Sequence, residues 1–138
     1  MRRAAVLLML VLIVKHSWAE ECHLPNNLLG LTLLLRVNRI HTPDNPMAGM
    51  VHEWFFGKKH YQITLLNTRK TAKGTYQYTR FTEQLARLSV QEGPIDERSV
   101  YSITFVCETE YIGYYIFSQT IGDSQRDVRQ NTGVYIIQ

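Results

Sequence analysis

From residue 29 onward, apolar and polar residues alternate with a period of two, broken at intervals by turn-forming clusters. That period is the signature of strands with one buried face. Leu31, Leu33, Leu35 and Val37 share one face of a first predicted strand at 29–37, while Leu34 makes the other face partly apolar. Pro43, Asp44, Asn45 and Pro46 then break any regular element. A second strand is predicted at 48–56, closed by Gly57, and a third at 60–67, where Tyr61, Ile63 and Leu65 oppose Gln62 and Thr64. A fourth at 73–80 sets Tyr76, Tyr78 and Arg80 against Thr75, Gln77 and Thr79.

The alternation continues through Ala86, Leu88 and Val90, opposed by Arg87 and Ser89. After a polar stretch with the turn signal Gly93-Pro94, a strand at 99–108 places Tyr101, Ile103, Phe105 and Cys107 on one face. Strands at 113–118 and 133–138 complete the series, with 119–132 read as a polar loop. A short helix is allowed only at 24–29; residues 82–88 read better as strand because Leu88-Ser89-Val90-Gln91 alternates. About eight strands rich in Tyr, Ile, Val, Phe and Thr, joined by short connections, predict an all-β, antiparallel domain. Closing such a sheet into a barrel removes its edges and leaves room for side chains or one small ligand.

The N-terminus alters the picture. Arg2 and Arg3 precede an apolar run at 4–14, and Ser17-Trp18-Ala19 puts small residues before a cut after Ala19. This is the layout of a secretory signal peptide over 1–19, with a run shorter than the roughly 18 residues of a membrane span. No later segment is long and apolar enough to span. The expected destination is the extracellular space or the periplasm, and residues 20–138 form one domain. Of the 15 Lys and Arg, Arg2, Arg3 and Lys15 fall in the signal, so the 12 that remain balance 12 Asp and Glu. A balanced chain does not carry the broad basic footprint of a nucleic-acid binder, and the run 69–73 reads as a solvated turn. Cys22 and Cys107 are the two cysteines. In an oxidising compartment they read as a disulfide, whereas a reactive thiol lacks a nearby His or a second Cys at C-x-x-C spacing.

The order Gly74-Thr75-Tyr76-Gln77-Tyr78, then Leu85-Ala86-Arg87-Leu88, then Tyr101-Ser102-Ile103-Thr104-Phe105, then Ile112-Gly113-Tyr114-Tyr115 resembles the strand succession of calycin-like barrels. The likeness is to those related to the molybdenum cofactor biosynthesis protein F family, and it covers residues 60–138. It implies a lipocalin-like barrel and assigns no catalytic residue.

Candidate chemistry is sparse. His23, His41, His52 and His60 are scattered, and His52 and Glu53 lie on opposite faces of one strand, so no metal site is expected. No cofactor motif and no nucleophile motif occurs. Asp96-Glu97, Glu108 and Glu110 fall in predicted turns, where carboxylates face solvent. The inward aromatic set is the strongest candidate: Trp54, Tyr76, Tyr78, Tyr101, Phe105, Tyr115 and Phe117, with Phe56 beside them and Arg80 at a strand end to meet a ligand carboxylate. The same rings could equally fill a solid core, with Arg80 reaching solvent. Three functions are therefore open: a binding module for a small apolar or amphipathic ligand, a protein-interaction or inhibitory module acting through loop 119–132, and a cyclase or isomerase that needs Glu53 or a His inside the cavity.

Overall fold

The computed structural model describes residues 22–43, 45–94, 98–122 and 129–138. Eight antiparallel strands follow one another around a closed barrel: β1 (Thr32–Val37), β2 (Val51–Phe56), β3 (His60–Leu65), β4 (Thr71–Arg80), β5 (Leu85–Glu92), β6 (Ser99–Cys107), β7 (Ile112–Ile121) and β8 (Arg129–Ile137). Each strand pairs with its sequence neighbours, and β8 returns to β1 through Leu33↔Ile137 to Val37↔Gly133. The all-β barrel expected from the alternation is the fold observed. Closure leaves no strand edge to recruit another chain.

The inward positions carry the core. Leu33, Leu35, Phe56, Leu88, Ile103 and Phe105 are each at most 2% exposed. Burying side chains of this size contributes about 1.5–3 kcal/mol apiece before the entropy of ordering is subtracted.

Three tyrosines close gaps in the wall by lying across glycines on neighbouring strands. Tyr61 pairs with Gly74, Tyr115 with Gly133 and Tyr135 with Gly113. A Cβ on Gly74 would stand 2.6 Å from the Tyr61 hydroxyl oxygen, and one on Gly113 would stand 2.6 Å from that of Tyr135. A Cβ on Gly133 would stand 2.5 Å from the Tyr115 ring. Only a residue without a side chain lets the ring lie flat against the sheet, an arrangement that also shields the glycine backbone from water.

Several strand limits differ from the pattern-based expectation. β1 starts at Thr32 because Gly30 has φ 77° and the Leu31 amide donates to the Leu28 carbonyl. β2 starts at Val51 because Gly49 has φ 75° and Met50 donates back to Met47. β4 reaches back to Thr71, so the basic run is split between a turn, with Arg69 at φ 59°, and the strand itself. Of the predicted loop at 119–132, residues 119–121 and 129–132 are strand, since β7 runs to Ile121 and β8 begins at Arg129. Residues 123–128 lie outside the described residues, as does the predicted signal at 1–19. Residues 24–29 form no helix.

Candidate functional site

The two ends of the barrel are built differently. The 22–31 segment lies over the end where β2, β4 and β6 finish. Cys22 is bonded to Cys107, with their Cα atoms 5.9 Å apart. Leu24 and Leu28 drop into the core at 3% and 2% exposure, which is why this stretch packs as a plug and not as a surface helix. Its backbone is pinned in turn. The Leu24 amide donates to the Glu83 carbonyl at 2.7 Å, and the Arg80 guanidinium donates to the Leu24 carbonyl at 3.0 Å. The Tyr78 hydroxyl donates to the Pro25 carbonyl at 2.9 Å.

At the opposite end the barrel encloses a cavity of about 390 Å³. Its walls include Leu35, Trp54, Ile63, Ile103, Tyr115 and Phe117, with Lys70 and Thr71 at the exposed rim. Trp54 stacks on Tyr61 with centroids 5.0 Å apart, and Tyr101 meets Trp54 edge-on at 6.4 Å. Phe117 lies 5.0 Å from Tyr101.

Polar groups are set into this apolar lining. His52 and Glu92 both face the cavity. The Tyr61 and Tyr101 hydroxyls are 3.4 Å apart, brought together past β4 and β5 with the Tyr61 ring lying over Gly74. Burial raises the Glu92 pKa above the ordinary carboxylate value, while hydrogen bonding from Tyr101 and Tyr61 pulls it part of the way back. Burial also raises the Tyr61 and Tyr101 hydroxyls, so both stay protonated. Burial lowers His52 to about 4, which makes it a neutral imidazole at neutral pH. His52 Nε2, Trp54 Nε1 and Glu92 Oε1 are buried without a hydrogen-bond partner in the protein. Buried polar atoms of that kind are few in native proteins and usually have a reason.

The pattern-based candidates divide between the two ends. Trp54, Tyr101, Tyr115 and Phe117 line the cavity. Tyr76, Tyr78, Arg80 and Phe105 do not. Tyr76 donates to the Gly57 carbonyl at 2.7 Å, Tyr78 and Arg80 hold the plug, and Phe105 packs edge-on against Tyr135 at 5.1 Å. Arg80 therefore serves a backbone carbonyl and is not stationed at a mouth. His52 and Glu92 are the site groups that pattern reading passed over. Their signal was parity: His52 is in step with Trp54 and Phe56, and Glu92 with Leu88 and Val90. Glu53 is out of step and does not line the cavity. Among the described residues no three His, Cys, Asp or Glu side chains gather to hold a metal.

The buried imidazole gives a pH signature. Folding lowers the proton affinity of His52, so below its ordinary value of 6.5 the unfolded chain binds the extra proton. Stability is then expected to fall as pH drops from 6.5 towards 4 and to level off below, by about 2–3 kcal/mol for a group still partly solvated. Glu92 acts in the opposite sense, because the folded chain holds its proton more tightly and loses stability as it ionises. Urea titrations of wild type and His52→Gln across this range isolate the histidine. Parallel pH profiles for the two proteins would show that His52 is not desolvated.

No protein-family model, no curated protein and no solved structure matches the chain.

Proposed function

We propose that the protein is an exported binding module whose open half-barrel takes one small amphipathic molecule. The observation that carries this reading is the cavity of about 390 Å³ with His52 Nε2, Trp54 Nε1 and Glu92 Oε1 left without partners in its wall. Ligand sites are typically apolar hollows of this size class with a few convergent polar groups. A ligand with an apolar body and a polar end completes both sets of contacts. The Cys22–Cys107 bridge fits an oxidising compartment, which agrees with the signal-like pattern at 1–19 and with secretion or periplasmic residence. Among the described residues no helix is long and apolar enough to cross a membrane.

The test is native mass spectrometry of exported protein with its bridge intact, alongside titration with 2-naphthol, a neutral fluorescent probe of suitable size. Trp54 is in the cavity wall, and the other tryptophan, Trp18, falls in the predicted signal, so indole emission reports occupancy directly. An adduct lost on denaturation, or saturable quenching of Trp54 by 2-naphthol, supports the reading. A bare mass together with no quenching overturns it.

A further inference from the structure

The polar groups of the cavity wall differ in what they lack. Glu92 is a carboxyl in an apolar wall with one buried oxygen unpartnered. Among the described residues the one ion pair is His23–Glu83 at 3.2 Å, on the surface, and Glu92 is in none. A buried carboxylate without a counter-charge is costly, and proteins ordinarily neutralise it with a paired cation. Its neighbours include the Tyr61 and Tyr101 hydroxyls, and these two rings meet Trp54 with centroids 5.0 and 6.4 Å away. Aromatic rings attract cations through their quadrupoles, and a carboxylate among such rings is a common way of holding an ammonium group. The remaining neighbours are compatible. The Tyr61 and Tyr101 hydroxyls have lone pairs to accept from N–H, and His52 is neutral at neutral pH. Lys70, the cationic member of the lining, is exposed at the rim, with no ion pair among the described residues.

Resting on the binding-module reading, we propose that the molecule it takes is a small organic amine, bound as its ammonium ion against Glu92 with its apolar body in the aromatic half of the cavity. The ammonium end of the ligand supplies the counter-charge that the barrel omits. An organic carboxylate is rejected, since its charge would face Glu92. The groups that face Glu92 and can titrate are Tyr61, Tyr101 and His52, with Lys70 at the rim. The tyrosines keep their protons through the neutral range. Amine affinity therefore follows Glu92: it is full where the carboxyl is ionised and declines as falling pH protonates it, and protonation of His52 near pH 4 adds repulsion.

The experiment compares three probes of one shape on the intact, disulfide-bonded protein: 2-phenylethylamine, 2-phenylethanol and 3-phenylpropionate. Calorimetry and Trp54 fluorescence read their affinities at several pH values. The ammonium is expected to bind about tenfold or more tighter than the alcohol at neutral pH, with the carboxylate weakest. Glu92→Gln, which keeps the side-chain shape, removes the preference for the amine over the alcohol. The wild-type ratio of amine to alcohol affinity falls as pH drops, a readout that does not depend on the variant folding. Equal binding of amine and alcohol, or a preference for the carboxylate, overturns the amine and leaves the cup standing. Binding of none of the three, nor of 2-naphthol, overturns both.

Discussion

Replacing Cys22 and Cys107 with alanine, or reducing the bridge, is expected to lower the unfolding free energy by about 4–5 kcal/mol. The bond closes a loop of 85 residues, and the loss of unfolded-chain freedom on cross-linking grows with loop length. It also joins the plug to β6 at the end where Leu24 and Leu28 complete the core. The native-state tethers survive in the variant: the Leu24 amide to Glu83, Arg80 to Leu24 and Tyr78 to Pro25. The folded barrel should therefore persist with its near-ultraviolet circular dichroism intact, while the urea midpoint moves down sharply. An unchanged midpoint would mean that the bridge constrains a chain already held compact when unfolded. A collapsed spectrum without urea would mean that the tethers cannot seat the plug alone.

At Tyr135 two substitutions should move stability in opposite directions. The ring is 1% exposed, packs edge-on against Phe105 at 5.1 Å and covers Gly113. Tyr135→Ala empties that volume and uncovers the glycine, with an expected loss of about 3–5 kcal/mol. The Tyr135 hydroxyl, in contrast, is buried with no hydrogen-bond partner in the protein. Tyr135→Phe keeps the ring and deletes the unpaired group, so it should be neutral or stabilising by about 1 kcal/mol. Urea melts of the two variants decide the matter. A Phe variant destabilised as much as the Ala variant would mean that the hydroxyl is bonded after all and that the ring alone is not what matters.

The barrel was legible because each strand repeats the same message: a residue's parity says whether it faces in or out. Leu33 and Leu35, Leu88 and Val90, Ile103 and Phe105 all obey it. Parity carries no information about height along the barrel axis. Tyr78 and Trp54 have the same inward signature, yet Tyr78 ties down the plug and Trp54 lines the cavity. That ambiguity is why an aromatic set read as one site proves to be two. Glu92 was hidden for another reason. It precedes Gly93-Pro94, and a charge beside a turn signal reads as solvent-facing, whereas the β5 ladder carries its backbone to Ser99 and turns its side chain inward. The end of β7 was missed because Gln119 and Thr120 are polar, although ladder pairing with β6 and β8 depends on backbone groups that any residue supplies.

The tyrosines laid over glycines have a consequence for how this chain can change over generations. A methyl group added at Gly74 presses on Tyr61, and trimming Tyr61 to a small residue bares a glycine backbone to water. Neither partner has a harmless single step, and trimming Tyr61 does not free Gly74, because a side chain there also runs into the Gln91 carbonyl oxygen of β5. Gly113 and Gly133 are held in the same way, by the Val106 and Arg36 carbonyl oxygens as well as by the rings of Tyr135 and Tyr115, so the glycine is the less replaceable member of each pair. Across homologous chains the three glycines should therefore outlast the rings that cover them: a ring can be exchanged at the cost of bared backbone, whereas the glycine is fixed from two sides.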